Sequence, residues 1–131
     1  MHPIGANTWI WVSPLTDARL AALAPRIREW GFDVIELPVE SPGDWDPDRA
    51  ADLLAGLGLG ATVCAVMSAD RDLVTDDAEV VRRTGDYLRH CVRVAARVGA
   101  GRGALRQHPA RTARGRRDRH LHRPGRARPL P

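Results

Sequence analysis

The sequence predicts an α/β fold in which three strand–helix units form a parallel sheet over residues 1–100, followed by a disordered basic tail over 101–131. Three observations carry this. Strand-length β-branched runs alternate three times with helix-length amphipathic runs, and a repeated βαβ order implies parallel strands. Proline, glycine and aspartate punctuate the junctions, as turns and helix ends require. Near residue 100 the apolar periodicity stops, and the chain beyond it is rich in Arg, Pro and Gly.

Asn7-Thr8-Trp9-Ile10-Trp11-Val12 alternates polar and apolar side chains and stops at Ser13-Pro14, the pattern of a first strand. Thr16 or Asp17 caps a helix running to Trp30, with Leu20, Leu23, Ile27 and Trp30 at three- and four-residue spacing. Pro25 lies inside that pattern and is expected to kink the helix or split it near Ala24. Gly31 stops it. A second strand over 33–38 comes next, ended by Pro38, which cannot donate to a ladder. Beyond a turn-rich loop, Asp46 caps a second helix with Pro47 at its first position, running to Leu57-Gly58. Residues Leu59 to Val66 form a third buried strand. A third helix runs from about Asp76 to Val98, with Val80, Val81, Thr84, Tyr87, Leu88, Cys91, Val92, Ala95 and Ala96 as its inner stripe and Gly99 at its end.

The residue that stands out is Glu36, set among Val34, Ile35 and Leu37. An ionised carboxylate in a core is costly unless paired, hydrogen-bonded or bound to a cation. Either Glu36 points toward a polar site at the strand's end, where parallel α/β sheets bind ligands, or it sits on an edge strand and faces water.

Composition narrows the classes. No apolar run approaches the roughly 20 residues of a membrane span, and the start lacks the charged-then-apolar layout of a signal peptide. Cys64 and Cys91 lie in apolar surroundings outside any close-spaced motif, and read as buried small hydrophobes of a reducing, cytoplasmic compartment. The net charge of +4 conceals an asymmetry, because residues 1–100 hold ten Arg against fifteen Asp and Glu, while 101–131 hold ten Arg and one acid, Asp118. There is no lysine, which fits G+C-rich coding better than a binding device.

The tail has only Leu105, Leu121 and Leu130 as sizeable aliphatics and no aromatic, so it cannot bury a face. Its histidines, 108, 120 and 122, have no cysteine and no acid beyond Asp118 to complete a metal site, and His2 and His90 are isolated. Ten Arg on a flexible segment would bind phosphate backbones without sequence choice, the basis of a nucleic-acid-binding alternative, although no aromatics interleave to stack bases. The preferred reading is an out-of-frame translation. It predicts that another reading frame beyond codon ~100 encodes a fourth apolar strand; neither frame doing so would end the idea.

With the three units in view, the chain resembles the sugar isomerase/epimerase superfamily of xylose isomerase-like TIM barrels, and most of all its ketose 3-epimerase and hydroxypyruvate isomerase group. The residues that carry the resemblance are Gly5-Ala6-Asn7-Thr8-Trp9, then Trp30 to Leu37 with its GFD-x-IE string, then Leu57-Gly58-Leu59. Asp72-Leu73, Asp76-Asp77, Tyr87-Leu88 and Ala95 to Ala100 continue it in the third unit. The likeness covers residues 4–100, roughly the first three of eight βα units.

The resemblance implies a barrel site with a divalent metal (manganese, magnesium or cobalt) and two carboxylates that exchange a proton beside a sugar carbonyl. In the family the metal ligands and catalytic glutamates come from later strands, so no catalytic residue and no metal ligand is assigned here, and a truncated, inactive fragment with an open sheet edge is expected. Trp9 and Trp11 match the family's aromatic substrate wall, or else fill packing space. Glu36 matches a carboxylate that supports the site without carrying the chemistry. Cys64 and Met67 match substrate contacts at the end of strand three, with core packing as the alternative. The implied partner is a small sugar. The resemblance leaves open a homo-oligomer or a partner completing the barrel in trans.

Overall fold

The computed structural model describes residues 2–100, so the expected tail and the boundary at 101 lie outside the described residues. Three strands, β1 (Gly5–Asn7), β2 (Val34–Val39) and β3 (Gly60–Ala65), form a parallel sheet in the order β1-β2-β3. Helices α1 (Asp17–Glu29), α2 (Pro47–Leu57) and α3 (Ala78–Arg97) complete the three units. The parallel α/β order read from the sequence is the order of the fold.

The helix ends obey side-chain chemistry. Thr16 accepts the amide of Arg19 at the start of α1. Asp46 accepts those of Asp48 and Arg49 ahead of Pro47 in α2, and Asp77 those of Glu79 and Val80 in α3. Each cap satisfies donors that the first helical turn leaves free. Gly58 ends α2 at φ +66°, a left-handed conformation that side chains with a Cβ resist.

Register places the core. Ile35 lies beside Ala61 and Leu37 beside Val63. Together with Val39 these residues face the helices, where Leu20, Ile27, Leu54, Tyr87 and Cys91 close over them. Ile35 and Leu37 have no solvent exposure at all. Each such aliphatic side chain contributes about 1.5–3 kcal/mol by leaving water.

Four expectations need correction. The first strand does not run over 7–12; it ends at Asn7, and Thr8–Ile10 form a 3-10 turn. The Asn7 side chain accepts the amide of Trp9, and the carbonyl of Thr8 accepts those of Trp11 and Val12, so side-chain alternation is overridden by a local cap. The first helix is not split at Pro25 but runs unbroken through it, with Pro25 and Ala21 both on the exposed side, where a carbonyl without its helical donor can face water. Nor does Pro38 end the second strand, which continues to Val39. At that level β1 has already ended, since its last partner is Glu36, and the Pro38 carbonyl accepts Trp45 Nε1 at 2.9 Å instead of a strand amide.

The fourth concerns which periodic residues are inside. Trp30 is 46% exposed, its ring 5.1 Å from that of Trp11 with the Arg26 guanidinium over it. Val92 is 69% exposed, and Ala96 is exposed too. The buried stripe of α3 is Thr84, Tyr87, Cys91 and Val94, continuing to Val98.

Candidate functional site on the helix-free face of the sheet

Side chains alternate across a strand, so if Ile35, Leu37 and Val39 face the helices, Val34, Glu36 and Pro38 face the other way. Register sets Asn7 beside Glu36, Thr62 beside Glu36 and Cys64 beside Pro38. This face carries a cavity of about 410 Å3 lined by Gly5, Asn7, Val34, Glu36 and Thr62 among others. Glu36 is half-buried, and its Oε2 accepts Asn7 Nδ2 at 2.6 Å. The carboxylate that looked anomalous in an apolar strand is therefore supported by an amide from the neighbouring strand. A buried carboxylate so bonded avoids much of its desolvation cost.

Cys64 lies further along the same face. It is half-buried rather than the buried small hydrophobe expected, whereas Cys91 is buried in the core. Both thiols are free. Burial pushes the Cys64 thiol above its ordinary value, and the negative charge of Glu36 adds to the effect. Both causes favour the neutral thiol, a weak hydrogen-bond donor rather than a nucleophile.

Trp9 and Met67 stand at the carboxyl rim. Trp9 is 42% exposed, and its Nε1 donates to Glu40 Oε1 at 2.9 Å. Ser13 Oγ donates to both Glu40 oxygens, at 3.1 and 3.0 Å. Met67 is exposed two residues beyond β3. Trp11 is not brought to this group, because its ring packs on Trp30. Glu36, Cys64, Trp9 and Met67 thus share the inner face and its rim, and Trp11 does not.

Two residues escape a reading of the sequence. Asn7 holds Glu36, and the signal that could have found it is an amide at the end of one strand beside a carboxylate stranded in the next. Arg71 ties the rim together: its Nη1 donates to Val66 O at 2.6 Å and its Nη2 to Glu40 O at 2.9 Å, while its guanidinium lies 3.6 Å over the Tyr87 ring. Tyr87 Oη donates to Val39 O at 2.5 Å and accepts the amide of Val66 at 2.6 Å. Desolvation, the largest influence, pushes the Tyr87 hydroxyl up to about 12. No sequence pattern announces such a contact, since it joins loop positions to a helix through carbonyls.

The fit of a divalent metal can be tested on these side chains. Among the described residues the inner face presents Glu36, already engaged by Asn7, and just past β2 Glu40, already engaged by Trp9 and Ser13. Among the described residues no three or more His, Cys, Asp or Glu side chains come together as a ligand set. The described residues do not fit such an ion, which takes its ligands from several hard oxygen or imidazole donors. A second cavity, of about 460 Å3, lies between α1 and α2, lined by Leu20, Ala21 and Leu53 with Asp17 and Arg49 at its margin. It lacks the converging polar groups that orient a polar ligand. Among the described residues no helix is long and apolar enough to cross a membrane.

No family model matches the chain. The chain is 29% identical over 120 residues to an L-ribulose 3-epimerase of Mesorhizobium japonicum, covering 85% of this chain and 40% of that protein. It is 30% identical over 97 residues to a ketose 3-epimerase of Arthrobacter globiformis, covering 74% of this chain and 34% of that protein. A solved L-ribulose 3-epimerase superposes with a TM-score of 0.69 at 29% identity, over 76% of this chain and 34% of its own. The proteins it matches belong to the xylose isomerase-like TIM-barrel superfamily. Its homologues there are ketose 3-epimerases, and it spans only about a third to two fifths of their length. Among solved members of the superfamily, a D-allulose 3-epimerase from Methylomonas sp. in complex with D-allulose also superposes, with a TM-score of 0.65 at 26% identity. In a TIM barrel one face of each strand meets the surrounding helices and the other the barrel interior, with active sites at the carboxyl rim. The Glu36 face of β2 is the side away from the helices, which corresponds to the interior face of such a barrel, and Trp9 and Met67 lie past the carboxyl ends of β1 and β3.

Proposed function

We propose that residues 2–100 supply the substrate-side wall of a metal-dependent ketose 3-epimerase-type site, with Glu36 as a supporting carboxylate rather than an acid or base. The observation that carries this is the Asn7–Glu36 pair on the interior face, with Cys64 further along it. A carboxylate fixed by an amide and open to the cavity can accept a hydroxyl hydrogen bond from a ketose. A neutral thiol can donate a weak one. Trp9 and Met67 offer apolar surface at the rim, and Trp11 is left out because it is stacked on Trp30.

The proton-transferring carboxylates and the metal ligands belong, on this reading, to elements outside residues 2–100. The 131-residue chain then binds ketose weakly and does not turn it over. The test is incubation of the purified chain with D-allulose or L-ribulose and Mn2+, Mg2+ or Co2+, following the C3 epimer by chromatography. Metal-dependent epimer formation above a protein-free control overturns the reading. Its absence, together with ketose binding that weakens in Glu36→Ala, supports it.

A second reading rests on the ten Arg of residues 101–131. It requires duplex DNA or RNA binding that falls steeply with salt and is lost when 101–131 are deleted. Binding that survives the deletion rules the tail out as its source.

A further inference from the structure

We propose that Glu40 is a positioning residue that fixes the Trp9 indole as a sugar-facing plane at the rim; the sugar-facing part rests on the ketose-site reading above. Glu40 comes directly after β2, and side-chain alternation from Glu36 and Pro38 sets it on the interior side. Its carboxylate receives Trp9 Nε1 and Ser13 Oγ, both from the segment after β1. Its backbone carbonyl receives Arg71 from the segment after β3. One residue therefore joins the rims of all three units.

Trp9 needs such a support. It begins no strand and sits in a 3-10 turn, 42% exposed, where packing alone does not fix two side-chain torsions. A bond from the indole N–H to a carboxylate is charge-assisted and directional, so it sets the ring's orientation as well as its place. The Ser13 hydroxyl holds the carboxylate in turn. With the N–H edge committed to Glu40, the exposed remainder of the indole is its apolar surface, and the C–H faces of a ketose pack against such a surface. The aromatic stack of Trp11 on Trp30 and the buried Trp45 serve packing, leaving Trp9 as the rim tryptophan.

The experiment uses the full 131-residue chain and its Trp9→Phe, Glu40→Ala and Glu40→Gln variants. Near-ultraviolet circular dichroism of wild type minus Trp9→Phe isolates the Trp9 band. The band is expected to collapse in Glu40→Ala and to survive in Glu40→Gln, whose amide oxygen still accepts the indole N–H; urea midpoints of the two variants should agree. A Trp9 band absent from the wild type, or unchanged in Glu40→Ala, overturns the positioning role. Titration with D-allulose, read by Trp9 fluorescence, should give an affinity about fivefold weaker in Glu40→Ala and near wild type in Glu40→Gln. Binding that ignores both Glu40 and Trp9 overturns the sugar-facing role while leaving the ketose site standing. No ketose binding by any form, with the Trp9 band behaving as expected, overturns the sugar-facing role and the ketose-site reading together but keeps the Glu40–Trp9 tie.

Discussion

On the helix side of β2, Ile35, Leu37 and Val39 are shut off from solvent, while on the other side of the same strand Glu36 stays half-exposed and is held by the amide of Asn7. Neighbours in sequence thus answer to different constraints. The helix side is filled by aliphatic side chains whose shape and volume matter, and the interior side by groups whose hydrogen bonds matter. Strand alternation separates the two at Glu36, so a polar site there need not disturb the core behind it. Pro38, further along the same side, is itself buried. Glu36 is compatible with an apolar strand because it does not enter the core that strand builds.

The largest effect that could break this division is at Leu37. Leu37→Ala should destabilise the fold by about 2–5 kcal/mol, as large-to-small changes in closed cores do, measured by urea unfolding. Glu36→Ala, one residue away, should cost less than about 1 kcal/mol, since it leaves a half-exposed amide that water can satisfy. Equal losses at the two positions would mean the faces are not distinct.

The rim contact around Tyr87 sharpens the same contrast, because it is a polar arrangement on the helix side. Tyr87→Phe leaves the Val39 carbonyl and the Val66 amide without the hydroxyl and should cost about 1–3 kcal/mol. The effect carries a pH signature. The hydroxyl titrates near 10 in the unfolded chain and at about 12 in the fold, so between these values the unfolded chain has lost a proton that the folded one keeps. Stability contributed below pH 10 is therefore lost as pH rises toward 12. Unfolding free energies across that window should fall more steeply in wild type than in Tyr87→Phe, and parallel slopes would argue against the buried hydroxyl. The absence of lysine removes one competing titration from the window.

The smallest effect tests whether Glu36 and Cys64 feel each other. Glu36→Gln removes the second cause of the raised Cys64 thiol but not the first, which is burial. Alkylation at pH 8 should quicken by about two- to threefold, a fraction of the tenfold that one full unit allows. Buried Cys91 should stay slow in both forms, and a rate change there instead would place the coupling in the core.

Much of this is legible from residue types alone. Asp46, Pro47 and Gly58 specify both ends of α2, since a cap, a preset φ and a left-handed stop each act locally. That Glu36 points away from the core is readable from a charge that an apolar strand could not hide, while the strand alone leaves open whether it meets a polar site or water. What escapes depends on which neighbour is present. Trp30 and Val92 continue a helical stripe, yet Trp30 stays 46% exposed even with Trp11 and Arg26 against its ring and Val92 stays 69% exposed, and periodicity does not report that. Alternation over 7–12 reads as β and overextends the first strand, while the Asn7 side chain converts it to a turn after one residue. Asn7, Glu40 and Arg71 are hard to single out because their partners are 29 to 31 residues away.

On the proposed reading, the interior face is the side that meets sugar. Titrating the isotope-labelled 131-residue chain with D-allulose and following backbone amide shifts tests that directly. Shifts should concentrate at Asn7, Glu36, Thr62 and Cys64, with Leu37 and the α1–α2 groove around Leu20 and Leu53 unmoved. Shifts confined to that groove, or none at saturating sugar, would contradict it.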